Sequence, residues 1–194
     1  VAVGDHLLLG GDNIDLTLAH WIEKKLSNEG AGELSTRQWM QLVHLAKTAK
    51  ETLLDGSDDM LFSVTIAGEG SNVIQGMLTT EICAGDVKKL LQNGFFPLEE
   101  WAIASALSKA KGIRSMGLPY EEDPAITRHL ARFLSRAGAV GEAAPTYILF
   151  NGGTVKPLTF QARILASLQQ WFPETSLTTL TSSSLDLAVA HGAA

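Results

Sequence analysis

The chain has 194 residues, 45% of them hydrophobic and 19% charged, which suffices for one ordinary domain or two small subdomains without a disulfide or metal staple. Its longest apolar runs fall well short of the roughly 20 residues that a membrane span needs, and a net charge of -6 without a Lys and Arg cluster argues against nucleic acid as a partner. Cys83 is alone and so forms no internal bridge, and with no charged start leading into an apolar core the expected location is the reducing cytoplasm.

In chain order, Val1-Ala2-Val3 and Leu7-Leu8-Leu9 flank the turn-like Gly4-Asp5-His6, which predicts a short strand and a turn before the break at Gly10-Gly11. Ile14, Leu18, Trp21, Ile22 and Leu26 recur at helical spacing, with Asp12 or Asn13 as the cap and Gly30 as the terminator. Ser35 and Gln38 have the form of a capping box, followed by an apolar stripe through Trp39, Leu42, Val43, Ala46, Ala49 and Leu53 that carries a second helix to about Leu54. Residues 61–66 and 73–78 favour strand and are separated by Gly68-Glu69-Gly70-Ser71, so an antiparallel hairpin is expected there.

Helices are then predicted over 81–91 and 98–109, the latter with Pro97 in its first turn. Asp123-Pro124 opens another helix, with Ile126, Leu130, Phe133 and Leu134 as its buried face and Arg128, Arg132 and Arg136 on its other side. The last fifty residues alternate: strand 147–150, helix 158–171, strand 177–180 and helix 184–191. Parallel strands joined by a helix need a right-handed crossover and bring the loops at their carboxyl ends together. Gly152-Gly153 and Ser183-Ser184-Leu185-Asp186 are therefore expected to be neighbours.

The chemistry that the residues offer is sparse. Five histidines and one cysteine show no zinc-ligand spacing, and neither a nucleophile elbow nor a Walker-type phosphate loop is present. What stands out is Asn151-Gly152-Gly153-Thr154 at the end of a strand that the apolar run 147–150 predicts to be buried. Glycines without Cβ atoms let a flat or anionic ligand approach the main chain, although the same pair also makes an ordinary tight turn. On local rules Asp186, Asp12 and Asp15 are first-turn acids favoured by a helix dipole, and Lys47, Lys50 and Glu51 form a solvated helix face.

Taken in order, five blocks resemble the C-terminal half, lobe II, of the nucleotide-binding domain of heat-shock-70 chaperones, the DnaK-like family of actin-like ATPases. They are Gly4-Asp5 with Leu9 to Asp15, the helix Ala46 to Leu53, the hairpin Leu61 to Thr79 with the helix after it, Phe150-Asn151-Gly152-Gly153-Thr154-Val155-Lys156-Pro157, and Leu185 to Ala194. The last two are the specific ones, and the whole is similar to a divergent bacterial branch with an extra helix inserted in 112–144.

The resemblance implies an α/β, ribonuclease H-like lobe. Residues 1–12 and 145–194 would form a sheet-bearing remnant, and 13–144 a mostly helical subdomain with hairpin 61–79 and inserted helix 123–137. It implies ATP or ADP as ligand, with Mg in the intact parent. Gly152, Gly153, Thr154 and Lys156 would face the adenosine, Lys50 the ribose or purine, and Gly11 the phosphates, with Asp186 supporting the purine pocket. Lys47 replaces an acid that holds the ribose, Glu51 a basic or apolar residue, and Asp55 a hydroxyl, changes that would alter affinity or base preference. No catalytic residue is assigned. The chain starts at Val1 and stops at Ala194 after an apparent helix, so it is expected to be a piece of a longer ATPase, inactive alone. Its partners would be the missing lobe I of the same parent and a nucleotide-exchange factor. Two alternatives are a lobe of another actin-like enzyme, such as a sugar or acetate kinase relative, and a non-catalytic interaction module with a decayed pocket.

Overall fold

The structure, a computed structural model, describes residues 2–68, 76–106, 121, 123–139, 144–181, 184–185 and 187–193. It is mixed α/β, with one two-stranded antiparallel and one two-stranded parallel sheet among these residues. The chain divides into two units, Asp12–Leu91 and Val1–Gly11 with Gln92–Ala194. Residues from Gln92 onward thus group with the two chain ends, whereas the resemblance divides the chain near residue 145.

In the unit Asp12–Leu91, α1 (Gly11–Asn28) buries Ile14, Leu18, Ile22 and Leu26 of the expected stripe and leaves Trp21 half-buried; because it begins at Gly11, Asp12 and Asn13 lie inside the helix and do not cap it. It stops at Gly30, whose φ of 99° lets the Gly30 amide bond the Ser27 carbonyl and the Ala31 amide bond that of Leu26. α2 (Thr36–Leu54) opens on the expected capping box: Ser35 Oγ accepts from the Gln38 amide at 3.3 Å, and Gln38 Oε1 accepts from the Ser35 amide at 3.0 Å. Gln38 Nε2 then donates to the Ala67 carbonyl at 3.0 Å, tying the start of α2 to the end of the first strand.

That strand, β1 (Leu61–Ile66), pairs antiparallel with β2 (Leu78–Cys83), Leu61 opposite Cys83 and Ile66 opposite Leu78. The second strand lies later than the expected 73–78. Residues 78–83 alternate, turning Thr80 and Ile82 inward with Val64 and Ile66 and leaving Thr79 and Glu81 outside, so one buried face fixes the register. The glycine-rich turn 68–71 lies, apart from Gly68, outside the described residues, as do 73–75. The helix expected from residue 81 consequently begins only after the strand, as α3 (Ala84–Phe95).

The other unit is built around aromatics. Phe95, Phe96 and Phe160 are buried, with the last two stacked at 4.5 Å. Trp101 meets Trp171 at 5.6 Å and Phe172 at 5.4 Å, both edge-on. The helix expected over 98–109 is described only as the single turn α4 (Trp101–Ala104), preceded by Glu100, so Pro97 is not in its first turn; residues 107–109 lie outside the described residues.

α5 (Ile126–Arg136) starts three residues after the expected Asp123 and buries Thr127, Ala131 and Leu134 rather than Ile126, Leu130 and Phe133. Asp123 stays outside it: its Oδ1 accepts from the amide of Ala125, the N-cap residue, at 3.1 Å, which turns the chain before the helix begins. Among the described residues the expected first strand does not form: residues 2–7 are irregular, and Gly4 lies against the Phe133 ring while Asp5 pairs with Arg136 at 2.7 Å. The final alternation holds, but the strand expected to be buried is not: Tyr147 and Leu149 are exposed and only Phe150 beyond them is buried. β3 (Tyr147–Leu149) pairs parallel with β4 (Thr178–Leu180), and α6 (Leu158–Trp171) connects them. The last helix, α7 (Ala188–Ala193), begins four residues later than expected.

Candidate functional site

Parallel pairing of β3 and β4 sends both carboxyl ends to one edge, which is where open α/β sheets place ligands. Beyond β3, Phe150 is buried and Asn151, Gly152 and Gly153 are exposed. Gly152 has φ 89° and ψ 156°, a conformation open in practice only to glycine, and a Cβ there would meet no atom within 4 Å. Its main chain therefore faces open space. The Gly152 amide donates to the Leu185 carbonyl at 3.0 Å, so the loop after β3 and the segment after β4 are directly bonded.

Gly153–Val155 form a single 3-10 turn, closed by the Lys156 amide donating to the Gly153 carbonyl at 3.2 Å. The chain start joins the same cluster, since a Cβ on Gly10 would lie 3.6 Å from Thr154 Oγ1. Gly11, the next residue, is the first of α1. The expected residues Gly11, Gly152, Gly153, Thr154 and Lys156 thus belong to one unit. Asp186 lies outside the described residues, although Leu185 before it is in place. Ser184 Oγ accepts from the Leu187 amide at 3.2 Å and shapes that bend.

Lys50 belongs to the unit Asp12–Leu91, and there its Nζ lies 2.6 Å from Asp15 Oδ1, with side-chain exposures of 14% and 7%. The first-turn acid of the sequence is in fact a buried charge. Burial pushes the Asp15 carboxyl above its ordinary range, and Lys50 opposes that rise by bonding the charged form. The signal was present, because Asp15 falls on the 15–18–19–22 stripe of α1, where an acid is out of place. Lys47 and Glu51 are exposed on α2, and Asp55 ends it.

The arginine row on α5 also differs from a solvated face. Arg128 bonds Glu99 through both Nε (2.8 Å) and Nη2 (2.5 Å) and reaches Asp123 with Nη1 at 3.2 Å. Arg132 bonds the other oxygen of Asp123, and His129 Nε2 lies 2.8 Å from the Asp123 carbonyl. Glu99 and Asp123 hold the Arg128 guanidinium well above its usual pKa, the Glu99 bond contributing most. The Trp171 indole donates to the Glu99 carbonyl at 2.8 Å, so this network fastens α5 and α6 to the segment around Glu99. Its carboxylates are paired with arginines, which makes it a structural clamp, although the buried Arg132 Nε meets no hydrogen-bond acceptor among the described residues.

No helix among the described residues is long and apolar enough to cross a membrane. No group of three or more His, Cys, Asp or Glu among them is placed to hold a metal ion. No protein-family model matches the chain, and neither does any curated protein sequence.

Proposed function

We propose that the chain forms the adenosine-facing half of the ATP-binding cleft of a heat-shock-70-like, actin-related chaperone, working as one lobe of that larger ATPase. One observation carries the reading: the Gly152 amide bonds the Leu185 carbonyl across the carboxyl ends of two parallel strands. Beside that bond lie exposed main chain at Gly152-Gly153, the Thr154 hydroxyl and Gly10 at the head of α1. A purine suits this arrangement, since a flat ring can lie against backbone that has no Cβ and meets open space. In this reading the metal and the phosphate chemistry belong to the opposing lobe.

Thermal unfolding with added ADP or ATP tests the reading. At a hundred times the dissociation constant a ligand adds about 2.7 kcal/mol, which raises Tm by roughly 5–10 °C for a domain of this size. A melting temperature that neither nucleotide moves would sink it. A second reading, an interaction module with a decayed pocket, is favoured by a single observation, the commitment of Lys50 to Asp15. A protein partner, rather than a nucleotide, would then raise Tm.

A further inference from the structure

The loop Gly152 to Lys156 is held at both ends, and the second hold comes from a side chain to which the sequence assigns no role. Gln161 stands in α6, four positions beyond Pro157, the residue that precedes the helix. Its Nε2 donates to the Val155 carbonyl at 2.9 Å and lies 3.5 Å from the Lys156 carbonyl. Pro157 has no N–H, so this entrance to the helix offers one donor fewer to its neighbours.

The Val155 carbonyl belongs to the same planar peptide group as the Lys156 amide, and that amide donates to the Gly153 carbonyl at 3.2 Å. Both sides of one rigid plane are thereby fixed, one to α6 and the other to the start of the turn. At the far end Leu185 holds Gly152. Gly153 and Thr154 stand between the two holds.

We infer that Gln161 is the positioning residue of this loop: its side-chain amide sets the Val155–Lys156 peptide, and with it the turn that presents Gly153 and Thr154 to an adenine nucleotide. The inference rests on the function proposed above and concerns how that site is kept in binding shape. A loop ordered before the ligand arrives loses less conformational freedom on binding, so the effect of the amide is read in affinity.

Two substitutions separate positioning from mere stability. Gln161→Met keeps the length of the side chain and suits a helix but removes the donor. Gln161→Glu turns acceptors toward the two carbonyls, yet adds an acid near a helix N-terminus, where the dipole favours it. Amide hydrogen exchange is measured on the full chain without ligand, followed by calorimetric titration with ADP. In both variants the Lys156 amide is expected to exchange about tenfold faster and ADP affinity to fall about three- to tenfold, while the amides of Ile164 and Leu168 keep their protection.

Unchanged exchange at Lys156 overturns the inference whatever the nucleotide does. Faster exchange with undiminished ADP affinity overturns it too, since the clamp would then be structural only. A wild-type chain that protects Lys156 but binds no ADP overturns the nucleotide reading instead, and with it the ligand role of Gln161. If Gln161→Met fails to fold, Gln161→Glu carries the same comparison.

Discussion

The two sheets of this protein have the same number of described strands and opposite fates. In the unit Asp12–Leu91 the antiparallel pair turns Val64, Ile66, Thr80 and Ile82 inward, all buried, and its outward residues are mostly polar. There the sheet serves the core. In the other unit β3 and β4 leave Tyr147, Leu149 and Leu180 exposed at 65%, 49% and 45%, and its core is made by helices and aromatic rings. What the parallel pair contributes is placement, because its ends deliver Gly152 and Leu185 to one another. Hence one unit should respond to changes in buried packing and charge, and the other to changes in loop backbone.

The largest expected effect tests the first half of that contrast. Lys50→Met strands the Asp15 carboxylate in the interior, and breaking a pair of this kind costs about 3–5 kcal/mol at neutral pH by urea denaturation. Asp15→Asn, which removes the buried charge itself, should cost less. The pH dependence has a definite sign. A carboxyl whose folded pKa lies above its unfolded value binds its proton more tightly when folded, so its contribution to stability is greatest in acid and falls as pH rises through the interval between the two values. Without Lys50 the folded pKa climbs further. The penalty of Lys50→Met should therefore shrink as pH is lowered toward the carboxylate range, and a penalty flat from pH 7 to 4 would contradict the assignment of Asp15 as the buried charge.

Two glycine substitutions sharpen the contrast next. Gly30 and Gly152 have φ of 99° and 89°, and a Cβ at either meets no atom within 4 Å. Alanine at each position should cost about 1–3 kcal/mol through backbone strain alone. Only Gly152→Ala should weaken ADP binding as well; equal ADP affinity in the two variants would remove Gly152 from the site. Smaller again is Ser35→Ala in the capping box, expected to cost about 1 kcal/mol, with frayed exchange confined to the first turn of α2.

Much of this fold was legible in the sequence wherever a local signal agreed with the buried face. The capping box at Ser35 and Gln38, the terminator Gly30 and the crossover helix Leu158–Trp171 all combine a hydrogen-bonding or periodic cue with packing in one direction. The second hairpin strand runs past the expected end at residue 78 because 79–83 also carry strand formers, and pairing with β1 is what holds them extended. The first strand was misread because an apolar run announces burial without naming its partner, and residues 2–7 lie irregular with Gly4 beside the Phe133 ring. At the candidate site the glycines and Thr154 could be read from their place after a strand. The Leu185 carbonyl and the Gln161 amide could not, since main-chain acceptors and a glutamine in the opening turns of a helix leave no mark in a sequence.

The arginines of α5 bring the contrast down to single side chains and to the smallest expected effect. Arg128 and Arg136 belong to one row on one helix and each holds a carboxylate, yet their surroundings differ. Arg128 is 30% exposed and forks onto Glu99 while touching the buried Asp123; Arg136 and Asp5 are 62% and 63% exposed. Water and salt screen the outer pair, so Arg136→Ala should change stability by no more than about 0.5 kcal/mol and less at high ionic strength. Arg128→Ala, by comparison, leaves Glu99 and Asp123 short of donors and should be felt more strongly, as a lower urea midpoint. If the two variants unfold at the same denaturant concentration, position along the helix matters more than burial, and the clamp assigned to Glu99, Asp123 and Arg128 has no energetic basis.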